Sequence, residues 1–144
     1  MPPEFETFSE QVALLKQWSV QPSQVLGEVD VDDARAEFGE RHGSWFLRLR
    51  WTTDELTRTA ELALTNATLS PDNDAEFAVV TVRATASSEE RFVTENIFEG
   101  RRGVRRLKSD ALEGWIRTAV ERANNLSNRE LSHTYLLGTP ETAT

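Results

Sequence analysis

The segment SWFLRLRWT, residues 44–52, indicates the fold more clearly than any other part of the chain. Two sets of side chains alternate along it, Trp45, Leu47, Leu49 and Trp51 in one and Phe46, Arg48 and Arg50 in the other. Successive side chains of a β-strand point to opposite faces, so the first set predicts a buried face. The segment is therefore predicted to be a half-buried antiparallel strand.

Three segments after this strand continue the β pattern. Residues 56–69 follow a helix-like start at 53–55, but their Thr-rich alternation favours a strand. Residues 76–86 are rich in β-branched side chains, and 91–98 follow a short polar turn. Strands joined by short turns are typical of an antiparallel meander rather than of parallel βαβ units.

Two further elements are predicted before the strand at 44–52. Residues 25–31 alternate between valine or glycine and mostly acidic residues, which predicts a short strand. Residues 32–41 are predicted to form a short helix capped by Asp32 or Asp33, with Ala34 and Phe38 on one side. A turn at 42–43 would then lead into the central strand.

Helical periodicity appears at both ends of the chain. Residues 4–20 place apolar side chains three and four apart and are followed by Pro22, and 107–123 have the longest apolar stripe. Residues 127–136 begin with a capping-box pattern, which predicts a last short helix. The expected architecture is an α+β domain over 1–138, with four or five antiparallel strands and the helices packed on them, followed by a disordered tail at 139–144.

Composition excludes several classes of protein. The chain has 144 residues and no cysteine, so it has no disulfide framework and no thiolate site. Its apolar runs are far shorter than the ~20 residues of a membrane span. The first residues lack the pattern of a signal peptide. We therefore predict an acidic cytoplasmic protein without a membrane segment.

Charge is distributed unevenly along the chain. The first 100 residues contain 8 basic and 19 acidic residues, and the last 44 contain 8 and 5. Five of the basic residues lie within 101–108: Arg101, Arg102, Arg105, Arg106 and Lys108. This arginine cluster is a candidate contact for a phosphate or a carboxylate. A net charge of -8 nevertheless disfavours broad binding of nucleic acid, which needs a wide positive surface.

No catalytic, cofactor-binding or metal-ligating set is evident. The only two histidines, His42 and His133, are far apart in sequence and lack ligand spacing. Acidic groups at 28–33 and 72–76 do not complete a calcium loop. There is neither a nucleophile elbow nor a phosphate-binding loop. We therefore predict no catalytic residue, cofactor or metal, and an active site assembled from acids and arginines far apart in the sequence stays an open alternative.

Aromatic residues on the sheet and the C-terminal helix permit two interpretations. Five side chains are candidates for lining a cavity between the two layers: Trp45, Trp51, Leu112, Trp115 and Ile116. Such residues also fill ordinary sheet-on-helix cores, which is the interpretation we favour.

Three functions follow from these observations. The first is a non-enzymatic protein-interaction module (an adaptor, chaperone-like or assembly protein), expected as a homodimer. Its expected contacts are Phe46, Arg48, Arg50 and the arginine cluster, since a mixed aromatic and basic face suits a protein interface. The alternatives are a domain that binds a small apolar molecule or lipid, and weak phosphate or nucleic-acid binding through the cluster.

Overall fold

The computed structural model describes residues 7–26, 34–67, 76–89 and 91–127, and it confirms the predicted α+β class. The strands are β1 (Arg35–Arg41), β2 (Ser44–Thr53), β3 (Leu56–Asn66), β4 (Phe77–Ser87) and β5 (Phe92–Gly103). The helices are α1 (Phe8–Val20), the short α2 (Ser23–Leu26), a 3-10 turn (Val104–Arg106) and α3 (Ser109–Asn125). The strands form one antiparallel sheet in the order β1-β2-β3-β4-β5, which is the predicted meander.

Tight turns connect the first three strands. The β1–β2 turn has positive φ at His42 (54°) and Gly43 (83°), and the β2–β3 turn has it at Asp54 (54°) and Glu55 (64°). Two consecutive residues with positive φ are required by the type I′ turn, which matches the twist of the strands it connects. These turns fix the register of the first two hairpins.

The hydrophobic core lies between one face of the sheet and the helices. α1 packs against β1 and β2, while α3 packs against β3, β4 and β5. Leu15 of α1 and Ile116 of α3 belong to the same fully buried cluster as Leu49 and Leu62 of the sheet. The molecule thus has two layers, with all the described helices burying their apolar side chains on one side of the sheet.

Local signals explain where the two long helices begin and end. Thr7 caps α1 in a capping box with Glu10, and the helix ends at Val20, just before Pro22. Glu76 accepts a hydrogen bond from the Phe8 amide at 3.1 Å, which anchors the start of α1 next to β4. α3 buries Leu112, Ile116, Ala119, Val120 and Ala123 along one stripe, as its periodicity predicts.

The structure corrects the sequence-based assignments before residue 42. The predicted helix at 32–41 is wrong, since residues 35–41 form strand β1. This segment pairs with β2 along its whole length, which satisfies the backbone groups on one side of the edge strand and outweighs the weak helical spacing of Ala34 and Phe38. The predicted strand at 25–31 is wrong at Val25, which lies in α2; residues 27–33 lie outside the described residues.

β5 is longer than predicted, since it continues to Gly103 and takes in the first arginines of the cluster. Its pairing with β4 shifts register between Val82 and Arg83. The helix predicted at 127–136, beyond its first residue, and the tail at 139–144 lie outside the described part of the chain. No helix in the described residues is long and apolar enough to cross a membrane.

Candidate functional site: the basic open face of the sheet

The face of the sheet opposite the helices, here called the open face, is rich in arginine. Directly paired residues of antiparallel strands share a face, so the strand register identifies its members. Among the residues that the structure describes, its charged members are Arg35, Glu37, Arg41, Arg48, Arg50, Glu61, Arg83, Glu99 and Arg101. Six arginines against three glutamates give this face a formal charge of +3, whereas the whole chain carries -8.

A row of charged residues crosses the open face from one edge strand towards the other. Glu37, Arg48, Glu61 and Arg83 are register partners on β1, β2, β3 and β4. The Arg48 guanidinium donates to Glu61 at 2.8 and 3.0 Å and to Glu37 at 3.1 Å. This cross-strand network holds the Arg48 side chain flat against the sheet.

Phe46 lies beneath this network and is only 9% exposed. The Arg48 guanidinium is stacked 4.8 Å from the centre of its ring. The Phe46 ring also lies close to Gly39 on β1, where an added Cβ would be 2.8 Å from the ring. Among the contacts predicted from sequence, Phe46 is therefore buried under the Arg48 side chain. Arg48 and Arg50 are themselves accessible on the open face.

A depression lies beside the charged row, at the β1 edge of the open face. Arg35 and Arg50 are register partners there. Together with Ala36, Glu37 and Arg48 they line a cavity of about 240 Å³. Among the described residues, no carboxylate pairs with either Arg35 or Arg50.

The arginine cluster at 101–108 does not form one patch. Arg101 lies on the open face against the Phe77 ring (4.8 Å), while Arg102 lies on the helix side against Phe98 (5.0 Å). Arg105 and Arg106 are exposed in the 3-10 turn, and Lys108 occupies the position before α3. Alternation along β5 therefore separates groups that are adjacent in sequence, and only Arg101 joins the open face.

The five candidate pocket residues are distributed over the sheet–helix layer. Trp51, Leu112 and Ile116 are at most 1% exposed within the core. Trp45 stacks on Phe38 at 5.8 Å, and Trp115 stacks on Phe98 at 4.1 Å. These contacts are those of a packed core, and binding of a small apolar molecule stays a prediction.

Arg58, which was not predicted from the sequence, faces the core from β3 and is 2% exposed. Its guanidinium donates to the carbonyl oxygens of Ala123 (2.5 Å) and Leu126 (2.7 Å), and also to the Thr53 hydroxyl. Burial lowers the pKa of Arg58, and nearby Asp54 partly opposes this shift. The alternation of β3, which places residue 58 between Leu56 and Ala60, was the available signal.

Nothing in the described residues points to a metal centre. No group of three or more His, Asp or Glu side chains is arranged there to hold an ion. The acidic residues at 28–33 and 72–74 lie outside the described residues. Glu76 is described, and its carboxylate accepts the hydrogen bond from α1.

Comparison with known proteins finds no matching family model, no matching curated protein and no matching solved structure.

Proposed function

We propose that the protein is a non-enzymatic interaction module whose open face binds an acidic surface of a partner protein. The observation that supports this most directly is the concentration of six arginines, against three glutamates, on a sheet face that no described helix covers. Exposed arginine on a flat, partly apolar surface is typical of protein interfaces. Complementary charge would guide the partner to this face and exclude wrong partners.

The composition of the open face favours a protein over a nucleic acid. Between the arginines lie small and β-branched side chains, including Thr59, Ala63, Thr65, Val79 and Thr81. These offer apolar contact area but no ladder of phosphate-binding groups. Arg48 is already neutralised by Glu37 and Glu61, and a net chain charge of -8 opposes approach to a polyanion.

Charge also disfavours self-association through this face. Two copies meeting face to face would oppose surfaces of formal charge +3, and like charges across an interface cost several kcal/mol. The predicted homodimer would need another surface, such as an exposed edge strand. The partner proposed for the open face is therefore a different protein with net negative charge at its contact.

Partner capture with charge-matched variants tests this proposal. Arg50→Glu/Arg83→Glu reverses two exposed charges on the open face, and Arg105→Glu/Arg106→Glu reverses two exposed charges in the 3-10 turn. Both double variants change the net charge by the same amount. We expect the wild type and the 3-10 variant to retain an acidic protein that the open-face variant loses, with binding that weakens as salt is raised.

Two outcomes would contradict the proposal. Loss of the captured protein only in the 3-10 variant would transfer the contact to the arginine cluster. The face would be assigned to nucleic acid if single-stranded DNA or RNA competed with the acidic protein. The nucleic acid would also have to bind more tightly than the acidic protein when the two carry equal charge. Circular dichroism of both variants shows that neither result comes from unfolding.

A further inference from the structure

We infer that the depression beside the charged row is a subsite for a phosphoryl group, held between Arg35 and Arg50. This inference rests on the proposed function, because it specifies the group that the partner presents to the open face. The predicted ligand is an oxyanion with two negative charges, and a carboxylate, which has one, is the competing ligand. The depression is lined by Arg35, Ala36, Glu37, Arg48 and Arg50.

Arg35 and Arg50 place two positive charges opposite each other on neighbouring strands. Arg35 on β1 is the direct register partner of Arg50 on β2. Like charges directly opposite on a sheet are destabilising. No described carboxylate forms an ion pair with either arginine, since Glu37, the carboxylate in the lining, is paired with Arg48 instead. An anion between two guanidinium groups would relieve this repulsion and accept charge-assisted hydrogen bonds from both.

The third arginine in the lining has a different role. Arg48 is held by Glu61 and Glu37 at distances of 2.8 to 3.1 Å, so its charge is already compensated. It forms a fixed wall of the depression, and Glu37, which is 61% exposed, closes another side with negative charge. Attraction therefore comes mainly from Arg35 and Arg50, whose two positive charges match a phosphoryl dianion.

The size of the depression also limits the ligand. A cavity of about 240 Å³ is smaller than the roughly 300–1,000 Å³ of sites that enclose a drug-sized molecule. It has ample room for an oxyanion and bridging waters. The ligand is thus a terminal group carried by a partner, or a free ion, rather than a whole nucleotide enclosed by the sheet.

Titration with inorganic phosphate, followed by the Nε–Hε NMR signals of the arginines, tests the subsite. We expect the signals of Arg35 and Arg50 to shift together along one saturable curve. The Arg50→Gln and Arg35→Gln variants should each lower the affinity by about tenfold, since each removes a charged donor. Affinity should rise as the pH is raised through neutrality, because inorganic phosphate then loses its second proton and becomes the dianion that two arginines match.

Matched controls make the result specific. Arg83→Gln removes an arginine from the same face but not from the lining, so phosphate affinity should change by less than about twofold. Arg50→Lys keeps the charge but loses the planar fork, and should bind more weakly than the wild type. Equal effects of Arg83→Gln and Arg50→Gln, equal affinity for acetate, or no saturable shift would each overturn the inference.

The two proposals fail in distinguishable ways. If phosphate does not bind but partner capture still depends on Arg50 and Arg83, the result contradicts the phosphoryl subsite and supports the open face as the docking surface. If phosphate binds through Arg35 and Arg50 while no acidic protein is retained, the subsite stands as a site for a free anion. A phosphoserine peptide that binds more tightly than its glutamate counterpart would support a phosphorylated partner, and the reverse order would contradict it.

Discussion

At the residue scale, a buried arginine joins the sheet to the end of α3. Arg58 donates to the Ala123 and Leu126 carbonyl oxygens, which lie in the last turn of α3 and just after it. Carbonyl groups at a helix C-terminus lack partners within the helix and carry partial negative charge. A buried cation is tolerated at this position because it supplies the missing hydrogen bonds.

Arg58→Met should therefore destabilise the protein by about 2–4 kcal/mol, since two buried carbonyl groups lose their donor while the apolar stem is retained. Urea unfolding measures the change. Arg83→Met, on the exposed side of the neighbouring strand, is the control and should stay within about 0.5 kcal/mol of the wild type. A similarly small effect at Arg58 would show that water replaces the guanidinium without cost.

Among the described residues, Glu55 has a backbone conformation that a residue with a Cβ adopts only with strain. It has φ of 64° in the β2–β3 turn, a left-handed conformation that costs a residue with a Cβ roughly 1–2 kcal/mol. Glu55→Gly should stabilise the protein by about 0.5–1 kcal/mol, after allowing for the greater entropy of glycine in the unfolded chain. Thermal unfolding would detect this as a higher Tm.

Gly43→Ala provides the control of opposite sign. Gly43 has φ of 83° in the β1–β2 turn, and open space surrounds its Cβ position, so alanine would add backbone strain without a clash. Its Tm should fall. If Glu55→Gly also lowered the Tm, the positive φ of residue 55 would be contradicted.

At the element scale, an ion pair connects β5 to α3. Arg122 donates to both oxygens of Glu95, at 2.6 and 2.9 Å. The hydrogen bond from Arg122 lowers the pKa of Glu95; partial burial opposes the shift, and the charge of Arg122 adds to it. A carboxylate whose pKa is lowered by folding stabilises the protein above its unfolded pKa and loses this contribution as the pH falls through the folded one.

Arg122→Gln should therefore cost stability at pH 7, and the difference from the wild type should shrink as the pH falls below the ordinary Glu value of 4.5. Both side chains are more than a third exposed (37% and 43%), so the cost should be only about 0.2–1 kcal/mol. Urea unfolding at a series of pH values measures it. A difference that grows on acidification would have the wrong sign for this pair.

Helices and strands were predicted correctly where their own residues carry a clear periodicity, and less well where pairing with another strand decides the conformation. β2 and α3 have strong periodicity of their own, and both were predicted. β3 was ambiguous between strand and helix, and pairing on both sides confirms the strand. β1 was missed because glycine, glutamate and arginine give it little strand character, and its conformation is set by β2.

At the scale of the whole molecule, the open face depends on strand register. Its arginines come from β1, β2, β4 and β5, and in sequence they extend from Arg35 to Arg101. Alternation within a single strand was enough to identify Arg48 and Arg50. It could not place Arg35 or Arg83 beside them, because the pairing between strands is decided by turns and by core packing.

The arginine cluster shows the converse effect. Arg101 and Arg102 are adjacent in sequence but lie on opposite sides of the sheet, because side chains alternate along β5. Counting charges within a short stretch of sequence therefore overestimated the positive charge that the arginine cluster concentrates in one place, and underestimated that of the open face. The same register that separates Arg101 from Arg102 brings Arg101 onto the face that carries Arg83.

Site-specific photo-crosslinking tests most directly whether the open face is the docking surface. One photoreactive residue would replace Thr81, on the open face of β4, and another would replace Glu121, on the exposed side of α3. The two positions therefore probe different layers of the molecule. We expect an acidic protein to be crosslinked from position 81 and not from 121, and we expect Arg50→Glu/Arg83→Glu to abolish the crosslink. Crosslinking from position 121 alone, or from 81 to a second copy of the chain, would contradict this expectation.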